Sequence, residues 1–218
     1  MKKTLNLGTE IQSRLRKLIT NPVSELKFKN VFELLIAVML SAQCTDKRVN
    51  LVTDELFKKY KTPKDFTKLT IEELEDKIKS CNYYHNKAKN IIETCKIIVE
   101  KFDGQVPNNH DDLVSLSGVG NKTANVVRAV GFNEQAFAVD THILRVSNRL
   151  GLSDTKNPNI CEEDLKKIFE GIDFVEMHHL ILLFGRYYCT AKNPKCENCI
   201  LKDLCKVINF VWGQNVFR

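Results

Sequence analysis

The segment from Val31 to Leu40 constrains the fold most, because nine of its ten residues are apolar and only Glu33 is charged. Asn30 and Glu33 lie three residues apart and match a capping box, which places a helix start at Val31. A helix that is apolar on every side must be buried on every side. The segment is also far shorter than the roughly 20 residues that span a bilayer. We therefore predict that it forms the central helix of a packed core.

Apolar residues recur with the period of an α-helix through most of the remaining chain, and no segment alternates with the period of a strand. We therefore predict an all-α fold. Thr9 is expected to open the first helix, Asp46 to cap the helix after the core helix, and Thr70 to open another. Later helices are predicted at 162–170 and 174–188.

The overall charge favours an acidic partner. The chain has 218 residues, 33 of them Lys or Arg, and a formal net charge of +6. This balance permits nucleic acid as a partner without requiring it. Residues Met1 to Gly8 lack the apolar run of a signal peptide, so a cytoplasmic, nucleoid-associated protein is expected.

Two glycines, Gly118 and Gly120, lie between an apolar segment that ends at Leu116 and a helical pattern that begins near Asn121. This spacing predicts a tight turn between two helices, in which both glycines can adopt positive φ. The backbone N–H groups of such a turn suit a phosphate oxygen and would hold a nucleic-acid backbone without reading its sequence. A glycine pair two residues apart is also common in ordinary loops, and this alternative stays open.

Two residues near this turn carry chemistry. Lys122 follows the second glycine, and Asp140 follows the apolar run from Phe137 to Val139. A lysine and an aspartate could meet in one cleft. Each also has an ordinary interpretation, Lys122 as a solvated helix residue and Asp140 as the cap of the next helix.

Four of the eight cysteines lie close together near the C-terminus, with the spacing Cys189-x6-Cys196-x2-Cys199-x5-Cys205. In a reducing compartment, grouped thiolates indicate a metal site rather than disulfides. Structural zinc usually uses two close cysteine pairs, whereas only one close pair is present here. The spacing by itself leaves both zinc and an iron–sulfur cluster open.

The segment from Leu116 to Val127, followed by Ala138-Val-Asp-Thr-His-Ile143, resembles the helix-hairpin-helix, the glycine-rich loop and the aspartate of the DNA glycosylase superfamily, in particular of the endonuclease III family. The resemblance extends from Phe32 to Cys205 and includes the cysteine spacing. It implies a [4Fe-4S] cluster bound by all four cysteines.

The resemblance also implies an activity, a bifunctional DNA glycosylase and abasic-site lyase that removes oxidised pyrimidines from duplex DNA. Lys122 would attack the sugar as a neutral amine, a form that burial beside a helix N-terminus favours, and would form a Schiff base before the strand is cut on its 3′ side. Asp140 would stabilise the charge that develops on the sugar. His142 is expected to be structural.

Further DNA contacts follow from the same resemblance. Gln43 would fill the space left by the extruded nucleotide. The residue that wedges into the base stack is commonly a leucine after a glycine in this family, whereas Asn82 and Tyr83 stand here, so Tyr83 would stack instead. Between the cluster ligands, Lys192, Lys195 and Lys202 would face DNA phosphates.

The expected architecture has two helical lobes with the DNA cleft between them. Residues 24–134 would form a continuous helical domain that contains the hairpin, and residues 1–23 would join residues 135–218 in the iron–sulfur domain. We expect a monomer whose partner is damaged double-stranded DNA, with no membrane association. The apolar tail from Val207 to Arg218 is expected to dock against the body.

Two other functions remain open. An adenine-mismatch glycosylase shares the hairpin, the aspartate and the cluster, but it lacks a lysine where Lys122 stands and has an additional C-terminal domain. A non-catalytic DNA-binding protein could use the same hairpin for attachment only.

Overall fold

The computed structural model describes residues 2–208, which form helices and no strand, so the all-α prediction is confirmed. A π-helical segment, Val127–Gly131, continues α8, and a 3₁₀ turn spans Lys202–Leu204. The α-helices, in chain order, are α1 (Lys2–Leu18), α2 (Val31–Ser41), α3 (Asp46–Lys59), α4 (Pro63–Phe66), α5 (Ile71–Ile78), α6 (Tyr84–Lys101), α7 (His110–Val114), α8 (Asn121–Val126), α9 (Thr141–Leu150), α10 (Pro158–Ile168) and α11 (Phe174–Tyr187).

The chain divides into two compact units. The hairpin unit is Ser24–Glu134, and the cluster unit joins Met1–Val23 to Gln135–Arg218, of which residues 2–23 and 135–208 are described. None of the helices in these ranges is long and apolar enough to cross a membrane.

The core of the hairpin unit is built around α2, as predicted. The Asn30 side chain accepts a hydrogen bond from the Glu33 N–H at 2.9 Å, and the Glu33 carboxylate accepts one from the Lys29 N–H at 2.7 Å. Every residue from Phe32 to Leu40 is buried. Capping at the first turn and burial along the rest of the helix therefore fix its position.

The predicted start of α1 at Thr9 is wrong, because α1 already begins at Lys2. Leu7 continues the apolar stripe of Ile11 one turn towards the N-terminus and packs on the same core. Gly8 allows a close approach there, since a Cβ at this position would lie 2.7 Å from the Ile168 carbonyl oxygen. The helix is therefore stabilised by packing upstream of the Thr9 pattern.

Two other helix starts differ from the prediction. Thr45 caps α3 by accepting a hydrogen bond from the Arg48 N–H, and Asp46 is the first helical residue instead of the cap. Asn157 caps α10, which begins at Pro158, so the predicted start at residue 162 is four residues late. Proline at the first helical position and asparagine before it are common start signals that a purely apolar period does not reveal.

The cluster unit packs α1, α9, α10 and α11 around a second core. Gly185 brings α11 close to α9, because a Cβ there would lie 3.1 Å from Cβ of His142. The connection that leads into α9 is also anchored, since Phe137 is fully buried and stacks on Phe169 with ring centroids 6.2 Å apart. The first turn of α9, which carries Asp140 as its cap, is thus fixed from two sides.

Candidate active site and metal centre

The turn between α7 and α8 adopts the predicted hairpin, but only one of its glycines has positive φ. Gly118 has φ +73°, whereas Gly120 has φ −95° and is the N-cap of α8. The Thr94 hydroxyl donates to the Ser117 carbonyl oxygen at 2.8 Å, and the Ser117 hydroxyl donates to the Asn90 side chain at 3.1 Å. Two residues of α6 therefore hold the turn in place.

Replacing Gly118 with alanine is expected to destabilise the hairpin unit by about 1–3 kcal/mol and to weaken DNA binding. Alanine at this position would have to keep the positive φ of Gly118. Its Cβ would lie 2.6 Å from Asn90 Nδ2 and 2.9 Å from Asn90 Cγ, and it would therefore displace the Asn90 side chain to which Ser117 donates. Thermal unfolding and DNA titration measure both effects.

Gly120→Ala is the matched control, because Gly120 has ordinary φ and no atom lies within 4 Å of a Cβ built there. It should unfold at the wild-type temperature. Equal destabilisation by the two substitutions would show that the backbone conformation at Gly118 is not what the turn requires.

Lys122 is the second residue of α8 and is exposed. The expected position at a helix N-terminus is confirmed, whereas the expected burial is wrong, because the side chain leaves the helix on the solvent side. No side chain caps α8 at Gly120. The Lys122 amine is accordingly accessible to a large substrate.

Asp140 is the N-cap of α9, so its ordinary interpretation is correct. Its Oδ1 accepts hydrogen bonds from the N–H groups of His142 and Ile143, both at 2.8 Å. Its Oδ2 makes no hydrogen bond that the described residues show, and the side chain is only partly buried. The bonds to Oδ1 therefore fix the orientation of the carboxylate, and Oδ2 is available to a substrate. Asp140 belongs to the cluster unit and Lys122 to the hairpin unit, and their convergence stays a prediction.

Gln43 and Tyr83 lie in two loops of the hairpin unit and share an uncommon backbone conformation. Gln43 has φ +53° and Tyr83 has φ +57°, both in the left-handed region. Both side chains are exposed, and Tyr83 keeps 61% of its surface accessible. Non-glycine residues in this region are uncommon and cluster at ligand-binding sites, which is consistent with the predicted DNA contacts.

The four C-terminal cysteines line one cavity of about 700 Å³ in the cluster unit. Burial raises the pKa of the Cys199 thiol, a hydrogen bond from the Leu201 N–H lowers it, and the charges of Cys189, Cys205 and Cys196 raise it again. The four sulfurs therefore share one neighbourhood. In residues 2–208, no three His, Cys, Asp or Glu side chains are grouped tightly enough for a single metal ion.

Arginines anchor the loop that carries these cysteines. Arg149 Nη1 donates to Cys189 Sγ at 3.4 Å and to the Thr190 carbonyl oxygen at 2.8 Å. From α1, Arg14 donates to the Ile200 carbonyl oxygen at 2.9 Å and pairs with Asp203. These contacts were not predicted from the sequence, because the partners lie 40 or more positions apart.

Arg145 links the first turns of α9 to the first cysteine. Its side chain donates to the carbonyl oxygens of Cys189 at 3.1 Å and Gly185 at 2.8 Å. Burial, and then the charge of Arg149, lower the pKa of Arg145. The helix that presents Asp140 is therefore joined to the cysteine loop by direct hydrogen bonds.

The lysines of the loop differ in environment. Lys192 and Lys195 are exposed, as a contact with phosphate requires, but the Lys195 amine already lies 5.1 Å from the ring centroid of Tyr188. Lys202 begins the 3₁₀ turn and is partly buried. Their contacts with DNA stay predictions.

Of the apolar tail from Val207 to Arg218, residues 209–218 lie outside the described part of the chain.

The remaining cysteines are buried, except for Cys44, which is only partly buried. Cys81 is its neighbour, and burial, followed by the charge of Cys44 and a hydrogen bond with it, raises the pKa of Cys81 to about 11.

The fold and these residues match one class of protein. The model of the HhH-GPD superfamily of base excision DNA repair proteins matches residues 36–171, and that of the iron–sulfur binding domain of endonuclease III matches residues 189–205. The second match begins at the first and ends at the last of the four cysteines.

Individual relatives narrow the class. Endonuclease III of Haemophilus influenzae is 45% identical and that of Bacillus subtilis 49% identical, over 94% and 84% of this chain and 97% and 84% of theirs. A trapped covalent intermediate of endonuclease III with DNA has a TM-score of 0.86 at 44% identity, with 95% of both chains covered. The chain belongs to the endonuclease III family of the HhH-GPD superfamily. It carries a [4Fe-4S] cluster, and this family match decides against zinc.

Proposed function

We propose that the protein removes oxidised pyrimidines from duplex DNA and cuts the strand through a covalent intermediate on Lys122. As a member of its family it is a base excision repair DNA glycosylase and lyase that acts on damaged DNA. The observation that carries the residue assignment is the exposed Lys122 amine directly after the hairpin. The covalent intermediate of a 44% identical relative with DNA supports a nucleophile in this chain.

The proposed chemistry begins at the sugar of an extruded nucleotide. The neutral Lys122 amine attacks C1′, the bond to the damaged base breaks, and the base departs with the bonding electrons and takes up a proton. The attached nitrogen loses one proton, the C1′–O4′ bond breaks as O4′ takes up a proton, and a protonated Schiff base forms. Removal of a proton from C2′ then expels the 3′ phosphate by β-elimination, and hydrolysis releases the enzyme.

Asp140 supports these steps by charge. Oδ1 is fixed by the two N–H groups of α9, so Oδ2 can face the positive charge that develops on the sugar without reorganisation. An oriented carboxylate can also pass on protons. Both roles require that Asp140 reaches the sugar that Lys122 attacks.

The [4Fe-4S] cluster would be held by Cys189, Cys196, Cys199 and Cys205, whose thiols share one cavity. When bound, it supplies iron–thiolate bonds that fix a loop with little regular structure. Glycosyl transfer and β-elimination move no net electrons, so the proposed reaction needs no redox step at this site. Gln43, Tyr83, Gly118, Gly120, Lys192 and Lys195 are proposed as the DNA-contacting residues.

The substrate class is tested by comparing two duplexes. The protein should excise thymine glycol opposite adenine at least about tenfold faster than it excises adenine opposite 8-oxoguanine. A base that fits the contacts of the pocket is favoured over one that does not by at least this order. Faster release of adenine would favour the mismatch glycosylase. Binding to both duplexes without cleavage would favour the non-catalytic alternative.

The relatives that carry this assignment are bacterial DNA repair enzymes. We propose that the protein acts in the cytoplasm, on the DNA of the nucleoid, and as a monomer.

A further inference from the structure

Lys87, near the start of α6, is one of the few buried charged residues, with 7% of its surface exposed. Its Nζ donates to the carbonyl oxygens of Leu40 and Ala42, both at 2.7 Å. Burial lowers the pKa of Lys87, and the charges of Cys81 and Cys44 oppose this shift. A lysine is rarely buried without strong partners, so these two bonds compensate for the lost hydration.

The two acceptors lie at the C-terminal end of α2, where the last carbonyl groups of a helix have no partner within the helix. A cation at this end also complements the helix dipole. Lys87 therefore fixes the point at which the chain leaves the central helix, one residue before Gln43.

The next carbonyl oxygen is held as well. Asn82 Nδ2 donates to the Gln43 carbonyl oxygen at 2.6 Å, although Asn82 itself is exposed. Gln43 has φ +53°, a conformation that a non-glycine residue keeps only when its surroundings fix it.

We propose that Lys87 and Asn82 are positioning residues that hold Gln43 in the backbone conformation with which it occupies the space left by the extruded nucleotide. This inference rests on the proposed DNA contact of Gln43. The same short segment, residues 82–87, also carries Tyr83. One segment therefore presents Tyr83 for stacking and fixes the backbone of Gln43. Lys87 and Asn82 act through Gln43 and contact neither the sugar nor the base themselves.

The test compares binding of the full-length holoprotein to two duplexes, one with a tetrahydrofuran abasic-site analogue and one undamaged. Lys87→Met keeps the apolar stem and removes the donors, Lys87→Arg keeps a cation, and Asn82→Asp places an acceptor against the Gln43 carbonyl. Lys87→Met and Asn82→Asp should each weaken binding to the abasic duplex roughly tenfold, with unchanged binding to the undamaged duplex, and Lys87→Arg should restore most of the loss.

Lys96→Met is the matched control, because Lys96 is an exposed residue of the same helix. It should bind both duplexes like the wild type. Asn82→Asp changes an exposed side chain, so it tests the inference even if Lys87→Met fails to fold.

The decisive measurement combines these changes with Gln43→Ala. If Lys87 and Asn82 act through Gln43, each substitution should weaken abasic binding little further in the Gln43→Ala protein. Additive losses, or equal losses on both duplexes, would overturn the inference. If Gln43→Ala alone leaves abasic binding unchanged, the proposed contact of Gln43 itself fails, which is a distinct result.

Discussion

The Lys122→Ala protein should bind abasic-site DNA and cleave it slower than the wild type by about three orders of magnitude or more, because the substitution removes the amine that we propose forms the Schiff base. Folding should be preserved, since Lys122 is exposed and alanine is favoured in a helix. Single-turnover cleavage of a duplex with one abasic site measures the rate, and a binding titration under the same conditions measures affinity.

Lys64→Ala provides the control, because Lys64 is likewise an exposed second residue of a helix in the hairpin unit. It should cleave at the wild-type rate. Wild-type cleavage by Lys122→Ala would assign the nucleophile to another amine.

The second large effect is expected at the metal centre. Cys199→Ser should give a protein without the brown colour of the cluster, with a lower unfolding temperature and DNA affinity reduced by more than about tenfold, because structural metal ligation contributes directly to folding. Absorbance of the purified protein, thermal unfolding and DNA titration follow the three quantities together.

Cys161→Ser is the matched substitution, made at a buried cysteine of the same unit outside the cavity of the four cysteines. Ser147 and Ser153 lie close to the Cys161 thiol, so a hydroxyl in its place has polar neighbours. This protein should stay brown. A colourless but folded Cys199→Ser protein with full affinity and lyase activity would show that the cluster does not support the DNA-binding surface.

The features that the sequence predicted depend on local patterns. The apolar run of α2, its cap at Asn30 and the turn at Gly118 are each encoded within a few residues, and all three are found in the structure. Local patterns also misled, and Thr9 and Gly120 are two examples. Thr9 matches a cap yet lies inside α1, and Gly120 adopts an ordinary φ although it could adopt another. Packing and the neighbouring backbone decided both.

The unpredicted features depend on contacts between distant parts of the chain. Lys87 is 47 and 45 positions from its acceptors Leu40 and Ala42, and Arg149 is 40 from Cys189. A lysine or an arginine in an amphipathic helix resembles a solvated residue until its partner is known. The exposure of Lys122 was missed because the expected chemistry suggested burial. The helix instead directs this side chain to solvent.

The central claim is that this protein cuts DNA through Lys122, and borohydride trapping tests it most directly. Wild-type protein is incubated with a duplex that contains one abasic site, the mixture is reduced with borohydride, and the covalent complex is digested and analysed by mass spectrometry. We predict a sugar adduct on the peptide that contains Lys122. An adduct on another residue, or bound and uncut DNA without any adduct, would contradict the claim.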